Sequence, residues 1–477
     1  MNNIQSLDYF ITDATPVKAL HLFTTSACNL NCEFCYLHKN EAYHALDKEI
    51  QAAWVNHEYP KTILKVLNRL DINPLEITGI YLWGGESFLR INEVTENLPD
   101  LFEIFPNIDY WLIPTNFTTN TNDLIDFIST LNKLTIKPFT LQMQLSIDGP
   151  EGIWREHGHQ VSDKMYEKQI DALATFFNNS ELKNIKQFRF AVKATVGSEL
   201  YFSKLTDIVE MEKYAQWFED FIAMLNSKIY HRNFRGVYAF PSIATPYKAT
   251  VQDGINYNTV LRNWNYIKMN NFEQSDNLAT MGEYYYSQTV FGKNYYINEP
   301  VLGCDMFAQA LVISPDGTLN PCPGCFVEHR KDYQDLLKEE HNDNLLRAAK
   351  LVEKHGSFNP LTATDEDIKH YKWYIMQSWT EYQTIGLSIK EAGLTELALS
   401  GQVPWIYYSD PRARMSAARI IATHCNCARE NIHESGIPQI SSIGGLRLLG
   451  NGAVEIVERD YSKPSHTILR YKKEHNL

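Results

Sequence analysis

The sequence lacks the features that would direct a protein to a membrane, to secretion or to nucleic acid. Nowhere do about 18 uncharged apolar residues run together, and the N-terminal segment has no basic stretch followed by an apolar one. No long run of Lys and Arg occurs in a chain whose formal net charge is −13, which disfavours binding driven by phosphate charge. We therefore expect a cytoplasmic protein with no membrane partner, and a nucleic-acid partner is not expected.

Cysteine is sparse as well, with eight in 477 residues. That number is too small for a disulfide scaffold in a chain of this length. The cysteines fall into three groups: Cys28, Cys32 and Cys35; Cys304, Cys322 and Cys325; and Cys425 and Cys427. Grouping of this kind favours metal ligation.

Short apolar segments rich in β-branched residues alternate with segments of helical periodicity. The strands are predicted at 19–25, 77–83, 111–115, 141–147, 188–196 and 236–243, and helices at 61–70, 123–131, 166–177 and 204–229. This alternation predicts an α/β fold with a parallel sheet and helical crossovers. Six such units predict a partial (β/α)6 barrel of the TIM type.

The composition shifts towards Tyr, Asn and Gly after residue 283, and we place a domain boundary there, giving domains 15–283 and 284–477. The Ser-Pro-Asp-Gly sequence at 314–317 predicts a hairpin over 310–321, since Pro fixes φ and Gly accepts a positive φ. Helices are predicted at 332–353, 365–382 and 409–423. Asn-Gly at 451–452 predicts a second hairpin over 445–458.

The first cysteine group directly follows the first predicted strand. A [4Fe-4S] cluster normally takes four thiolates, so a loop that supplies three leaves one iron open for a substrate or cofactor. A zinc site with a fourth ligand such as His38 is an alternative, as is chance packing of cysteines.

The spacing Cys-x3-Cys-x2-Cys, with Phe34 before Cys35 and Tyr36 after it, resembles the radical S-adenosylmethionine superfamily. In that superfamily the open iron chelates the amino and carboxylate groups of S-adenosylmethionine, and the reduced cluster cleaves it to a 5'-deoxyadenosyl radical. The resemblance implies that Phe34 and Tyr36 lie at the cofactor site. It also implies a reductant such as flavodoxin or ferredoxin as a partner.

Gly84, Gly85 and Glu86 end the second predicted strand, where the resemblance requires a Gly-Gly-Glu motif. The glycines would let the backbone approach the methionyl ammonium, and Glu86 would offer it a carboxylate. An ordinary turn is the alternative interpretation.

Two further strand ends resemble family motifs. Ser146 and Asp148 lie in a Ser-Ile-Asp-Gly-Pro stretch like that of the anaerobic sulfatase-maturating and peptide-modifying branch, where they would face the ribose or the substrate. A strand-terminating turn is the alternative. Thr115 and Asn116 are similar to the start of the family's Thr-Asn-Gly, but Phe117 replaces the glycine.

Two basic residues complete the predicted cofactor site. Arg155 loosely matches a charged stretch in the same relatives, and Lys193 on the fifth predicted strand could reach the methionyl carboxylate. A structural salt bridge is an equal alternative for each. No catalytic acid or base stands out.

The remaining cysteines resemble the auxiliary-cluster domains named SPASM and twitch. Cys304 is followed by a glycine and then by Cys322 and Cys325, which is similar to the opening of those domains; a disulfide between Cys304 and Cys322 is the alternative. Cys425 and Cys427 would supply the missing ligand or ligands. Five cysteines cannot furnish two complete four-thiolate clusters, so at least one auxiliary [4Fe-4S] cluster is expected, and which four ligate it stays open.

The resemblance implies an oxidoreductase-type enzyme whose radical abstracts hydrogen from a peptide or protein, leading to oxidation, crosslinking or epimerisation. The same chemistry on a small molecule, such as a sugar, an aminoglycoside precursor or a nucleotide, is the alternative. A non-catalytic iron-sulfur redox protein is a third hypothesis.

Overall fold

The computed structural model describes most of the first 243 residues and shorter segments after them. The described residues are 17–32, 41–151, 160–196, 204–243, a set of positions between 260 and 278, 310–320, 358–369, 446–448 and 454–456. No helix among them is both long and apolar enough to cross a membrane.

Six strands alternate with helices in the N-terminal half of the chain. The strands are β1 Ala19–Thr25, β2 Gly79–Gly84, β3 Tyr110–Thr115, β4 Phe139–Ser146, β5 Ile185–Val196 and β6 Phe234–Ile243. The helices are α1 Glu41–Val55, α2 Tyr59–Arg69, α3 Ile91–Glu96, α4 Leu98–Ile104, α5 Thr121–Leu134, α6 Asp163–Asn179 and α7 Ile208–Lys228. Short 3-10 turns occur at Pro74–Glu76 and Ser87–Arg90.

The six strands form one parallel sheet in chain order from β1 to β6. At least one helix connects each strand to the next, because parallel pairing of consecutive strands requires a crossover connection. The predicted mixed α/β class is therefore confirmed, and the strand order matches that of the predicted partial (β/α)6 barrel. Because all six strands run the same way, their carboxyl ends meet at one edge of the sheet.

Side-chain caps fix where the longer helices begin. Ser162 accepts a hydrogen bond from the backbone N–H of Met165 at the start of α6, and Asp207 accepts two at the start of α7. Such caps satisfy backbone donors that the helix itself leaves unpaired, and each contributes about 1 kcal/mol.

One face of the sheet packs on the helices through aromatic side chains. Trp111 of β3 contacts Phe127 of α5, with ring centroids 5.8 Å apart. Phe188 of β5 stacks on Phe177 of α6 at a centroid distance of 3.9 Å. These side chains are fully buried, and burying each one stabilises the fold by roughly 2 to 3 kcal/mol.

Two further hairpins follow in sequence. β7 Ala310–Ile313 and β8 Leu319–Asn320 are antiparallel, and Gly317 in the turn between them has φ +88°, as the turn sequence predicts. β9 Leu446–Leu448 pairs antiparallel with β10 Val454–Ile456, which confirms the predicted tail hairpin.

The first hairpin is continuous with the main sheet, since β7 runs parallel beside β1. The Tyr59 hydroxyl joins the two strands, accepting from the N–H of Phe23 at 3.2 Å and donating to the carbonyl oxygen of Ile313. The domain boundary after residue 283 and the SPASM/twitch-like domain stay predictions. Residues 365–369 are helical, as predicted for 365–382, whereas the helices predicted at 332–353 and 409–423 lie outside the described residues.

Candidate cofactor site

The loop after β1 presents two cysteines of the first group. Cys32 is buried and Cys28 is partly exposed. The backbone N–H of Leu30 lies 3.4 Å from Cys28 Sγ, and Asn116 Nδ2 lies 3.8 Å from the same sulfur. Two donors directed at one sulfur fit a metal-bound thiolate, because hydrogen bonds to cluster sulfurs stabilise their negative charge.

The third cysteine of the motif lies outside the part of the chain that the structure describes. Cys35 and its neighbours Phe34 and Tyr36 belong to the segment 33–40. Within the described residues, no group of three or more His, Cys, Asp or Glu side chains is close enough to hold a metal ion. The assignment of Cys35 as a ligand therefore stays a prediction from its spacing.

The backbone leading to Cys28 is held by Asp47 of α1. Asp47 Oδ1 accepts from the N–H of Ser26 at 3.0 Å and from the hydroxyl of Thr25. The Thr25 hydroxyl oxygen in turn accepts from the N–H of Ala27 at 3.0 Å. Sequence analysis missed Asp47 because it predicted no helix over Glu41–Val55.

The two glycines that end β2 lie directly against this backbone. The N–H of Gly85 donates to the carbonyl oxygen of Thr25 at 3.1 Å. A Cβ at Gly85 would lie 2.6 Å from the carbonyl carbon of Ala27 and 2.8 Å from the carbonyl oxygen of Ser26, and Gly84 is similarly crowded. Glycine is thus required for the close approach of two protein segments, and contact of these glycines with a methionyl ammonium stays a prediction.

Glu86 joins the end of β2 to the end of β3. It is 1% exposed, and its Oε1 accepts from the Thr115 hydroxyl at 2.6 Å and from the N–H of Phe88 at 3.2 Å. Its Oε2 accepts from the N–H of Asn116 at 2.6 Å. The carboxylate therefore fixes the backbone that carries the Asn116 side chain towards Cys28, and its predicted contact with an ammonium group is untested.

The turn after β3 keeps the backbone conformation that a glycine would favour. Phe117 stands where the resembled motif has glycine, and its φ is +61°, in the left-handed region that bulky residues rarely adopt. The residue is 3% exposed, so burial of its side chain offsets the backbone strain. The turn is further held by Asn116, whose Nδ2 donates to Asn29 Oδ1 at 2.9 Å and whose Oδ1 accepts from the N–H of Thr118 at 3.1 Å.

Ser146, Asp148 and Lys193 lie at the carboxyl ends of β4 and β5. Ser146 and Lys193 are register partners, and Asp148 is 1% exposed with its carbonyl oxygen accepting from the Tyr214 hydroxyl at 2.8 Å. Burial lowers the pKa of the Lys193 ammonium, and the Asp148 carboxylate nearby opposes that shift. Arg155 lies outside the described residues.

The structure thus places the described candidates at one edge of the sheet. Cys28, the Gly-Gly-Glu motif, Thr115 and Asn116 are linked by hydrogen bonds or direct backbone contact at the ends of β1, β2 and β3. The predicted auxiliary-cluster ligands, Cys304, Cys322, Cys325, Cys425 and Cys427, all lie outside the described residues.

Replacing Glu86 with Ala should lower the free energy of unfolding by about 3 to 5 kcal/mol, because three buried donors lose their acceptor. Urea unfolding of the reconstituted protein measures this. Glu93→Ala is the matched control, since among the described residues the Glu93 carboxylate accepts a hydrogen bond only from Arg90, at 3.4 Å. It should cost about 1 kcal/mol or less. Unchanged stability of Glu86→Ala with a tenfold or greater loss of S-adenosylmethionine affinity would instead support a direct ammonium contact.

His21 lies on β1 below these motifs and is 2% exposed. Its ring is perpendicular to that of Tyr81 at a centroid distance of 4.4 Å and stacks on Trp83 at 5.7 Å. Burial lowers the pKa of His21 from 6.5 to about 3. The imidazole is therefore neutral at physiological pH.

This burial predicts a pH dependence of stability. The unfolded chain binds a proton at His21 below pH 6.5 and the folded chain does so only near pH 3, so stability falls as the pH drops through this window. Between pH 8 and pH 5 the loss from His21 should be about 2 kcal/mol. Urea unfolding across this range should show a flatter profile for His21→Phe than for the wild type, and parallel profiles would show that His21 is not the titrating group.

Comparison with known proteins gives little further guidance. No family model matches the chain, and no curated protein matches it. Among solved structures, it is similar to the crystal structure of BtrN in complex with AdoMet and 2-DOIA, with 13% identity, a TM-score of 0.25 and coverage of 72% of this chain and 89% of that chain. Similarity this low supports neither a fold nor a function for this chain.

Proposed function

We propose that the chain is a radical S-adenosylmethionine enzyme in which Cys28, Cys32 and Cys35 hold a [4Fe-4S] cluster with one open iron. The observation that carries this proposal is the arrangement around Cys28. Its loop lies on the Gly-Gly backbone at the end of β2, and two N–H donors point at its sulfur. The motif stands at the carboxyl edge of a parallel sheet, where α/β enzymes commonly place their active sites.

When bound, the cluster would supply the electron that cleaves S-adenosylmethionine to a radical able to abstract hydrogen from an unactivated carbon. The residues of the chain orient and shield this site. Asp47 fixes the backbone before Cys28, and Glu86 fixes the turn that carries Asn116. The N–H donors at Cys28 favour its thiolate form, which is the form that ligates iron.

We propose that residues at the ends of β4 and β5 bind the ribose and the methionyl carboxylate of S-adenosylmethionine. Ser146 and Asp148 would bind the ribose hydroxyls, and Lys193 would pair with the methionyl carboxylate. Support comes from their position at the ends of β4 and β5 and from the negative charge of Asp148, which favours the charged form of Lys193. Arg155, Phe34 and Tyr36 are assigned to the cofactor by resemblance alone.

The C-terminal cysteines are proposed to hold one auxiliary [4Fe-4S] cluster, which would accept the second electron of an oxidation or bind substrate. Flavodoxin or ferredoxin is the proposed reductant. A peptide or protein substrate is the prediction from the motif resemblance, and a small molecule is the alternative.

The proposal is tested by incubating anaerobically reconstituted, dithionite-reduced protein with S-adenosylmethionine. We expect 5'-deoxyadenosine to form, detected by liquid chromatography and mass spectrometry, and to depend on the reductant. A protein that takes up electrons but forms no 5'-deoxyadenosine would be the non-catalytic redox protein of the third hypothesis.

A further inference from the structure

Five neighbouring strands each contribute one residue to a layer that runs across the sheet. His21, Tyr81, Leu112, Gln142 and Arg189 are successive register partners on β1 to β5. Register partners in parallel strands point to the same face, so these side chains form a single row.

This row lies on the face of the sheet opposite to the helices. Arg189 stands between Phe188 and Phe190, both of which contact Phe177 of α6. Because successive side chains of a strand alternate between faces, Arg189 points away from α6. Ring contacts join side chains on this same face: His21 contacts Tyr81, and Tyr81 contacts Tyr110.

The row, together with Trp83 two residues after Tyr81 on β2, contains buried nitrogen atoms without a hydrogen-bond partner among the described residues. These are both ring nitrogens of His21, Trp83 Nε1, Gln142 Nε2 and Arg189 Nη2. A buried donor without a partner costs about 1 to 3 kcal/mol, and such groups are rare in folded proteins. The interiors of (β/α) barrels are usually filled by branched apolar side chains, so a row of polar nitrogen atoms at this position is a candidate site for a polar ligand.

The charge of the row is positive and not balanced within the described part of the chain. Arg189 Nε donates to Gln142 Oε1 at 2.6 Å, and the Tyr110 hydroxyl donates to the same oxygen at 3.0 Å. The Gln142 oxygen is thus occupied and only its NH₂ group is left to donate. Arg189 has no carboxylate partner among the described residues, and guanidinium stays charged at all physiological pH values.

We propose that this row binds the oxyanion group, carboxylate or phosphate, of a small-molecule substrate. Guanidinium, amide and indole N–H groups together match the acceptor oxygens of such a group. His21, neutral in the free protein, adds one donor without further charge. The proposal rests on the proposed function and names its substrate class: a small anionic molecule in place of the peptide predicted from the motifs.

The strand geometry also sets the size of that substrate. Arg189 lies four residues before Lys193 on β5, which corresponds to roughly 13 Å along the strand. An oxyanion at Arg189 would therefore hold the far end of a molecule whose reacting carbon lies near Lys193, roughly 13 Å away along the strand.

The test is calorimetric titration of the full-length reconstituted protein with inorganic phosphate and, separately, with acetate at constant ionic strength. The wild-type protein should bind at least one of the two anions. Tighter binding of phosphate would indicate a phosphate substrate, and tighter binding of acetate would indicate a carboxylate substrate. Arg189→Gln should weaken binding at least tenfold. Arg232→Gln is the matched control, since Arg232 is exposed between β5 and β6, and it should bind as the wild type does.

A second variant covers the case in which Arg189→Gln does not fold. Trp83→Phe removes the indole N–H while keeping an aromatic ring and should weaken anion binding about threefold to tenfold, an effect on the scale of one hydrogen bond. Equal binding by wild type and either folded variant, or no binding of either anion by wild type, would overturn the proposal.

The same protein preparation separates this proposal from the proposed function. Anion binding that depends on Arg189 in a protein that forms no 5'-deoxyadenosine would uphold the anion site and overturn the radical chemistry. Formation of 5'-deoxyadenosine without Arg189-dependent anion binding would uphold the radical chemistry and overturn the anion site.

Discussion

Replacing Cys28, Cys32 and Cys35 together with Ala should remove about half of the iron and abolish formation of 5'-deoxyadenosine. Wild-type protein should bind about eight irons, four at the first cysteine group and four at one auxiliary cluster, because five remaining cysteines complete only one four-thiolate set. The triple variant would lose the cluster that is proposed to have an open iron. Iron analysis after anaerobic reconstitution, together with product analysis, measures both effects.

The complementary variant is Cys425→Ser with Cys427→Ser. If these residues complete the auxiliary cluster, it should also lose about four irons, but it should keep the ability to cleave S-adenosylmethionine. An unchanged iron content in the triple variant would remove the first cysteine group from the metal site.

Replacing Gly85 with Ala should prevent cluster assembly and destabilise the fold by roughly 3 kcal/mol or more. The new Cβ would lie 2.6 Å from the carbonyl carbon of Ala27, the residue directly before Cys28. Because the obstacle is backbone, no side-chain rotation relieves it, and the loop with Cys28 must move away from β2. Iron content and the midpoint of thermal unfolding measure the effect.

Ser87→Ala is the control in the same turn. Ser87 is buried and donates one 3.3 Å hydrogen bond to the carbonyl oxygen of Leu82, so its loss should cost about 1 kcal/mol and leave the iron content unchanged. Full iron content and an unchanged midpoint in Gly85→Ala would show that the two segments separate without cost.

The strands of this fold could be predicted because their signal is local. Each buried strand is a short run of apolar and β-branched residues, and all six predicted strands overlap the observed ones. Since parallel strands bring their carboxyl ends together, the motifs at 84–86, 115–116 and 146–148 could also be placed at one edge of the sheet from the sequence alone.

The contacts within the site could not be predicted, because they join segments far apart in the chain. Glu86, Thr115 and Asn116 were each candidates, but their mutual hydrogen bonds depend on the pairing of β2 with β3. Likewise Asp47 contacts the Cys28 loop only because α1 packs beside β1. A sequence signal for α1 exists, since Leu46, Ile50, Ala53 and Trp54 follow helical spacing, and it could have revealed the helix though not the contact.

Phe117 shows a different limit of sequence reasoning. Phe117 stands where the resembled motif has glycine, yet the residue adopts the positive φ that glycine would supply. A bulky residue can thus hold a left-handed backbone conformation when burial of its side chain offsets the strain. The buried nitrogen atoms of the row from His21 to Arg189 were also not foreseen, because they depend on the register of five strands.

The most direct test of the central claim is the electron paramagnetic resonance spectrum of the reduced, reconstituted protein with and without S-adenosylmethionine. An open iron in the cluster held by Cys28, Cys32 and Cys35 predicts that the cofactor binds that iron and changes the spectrum. The triple Cys→Ala variant should show no change on addition of the cofactor. A wild-type cluster spectrum that is identical with and without S-adenosylmethionine would contradict the account.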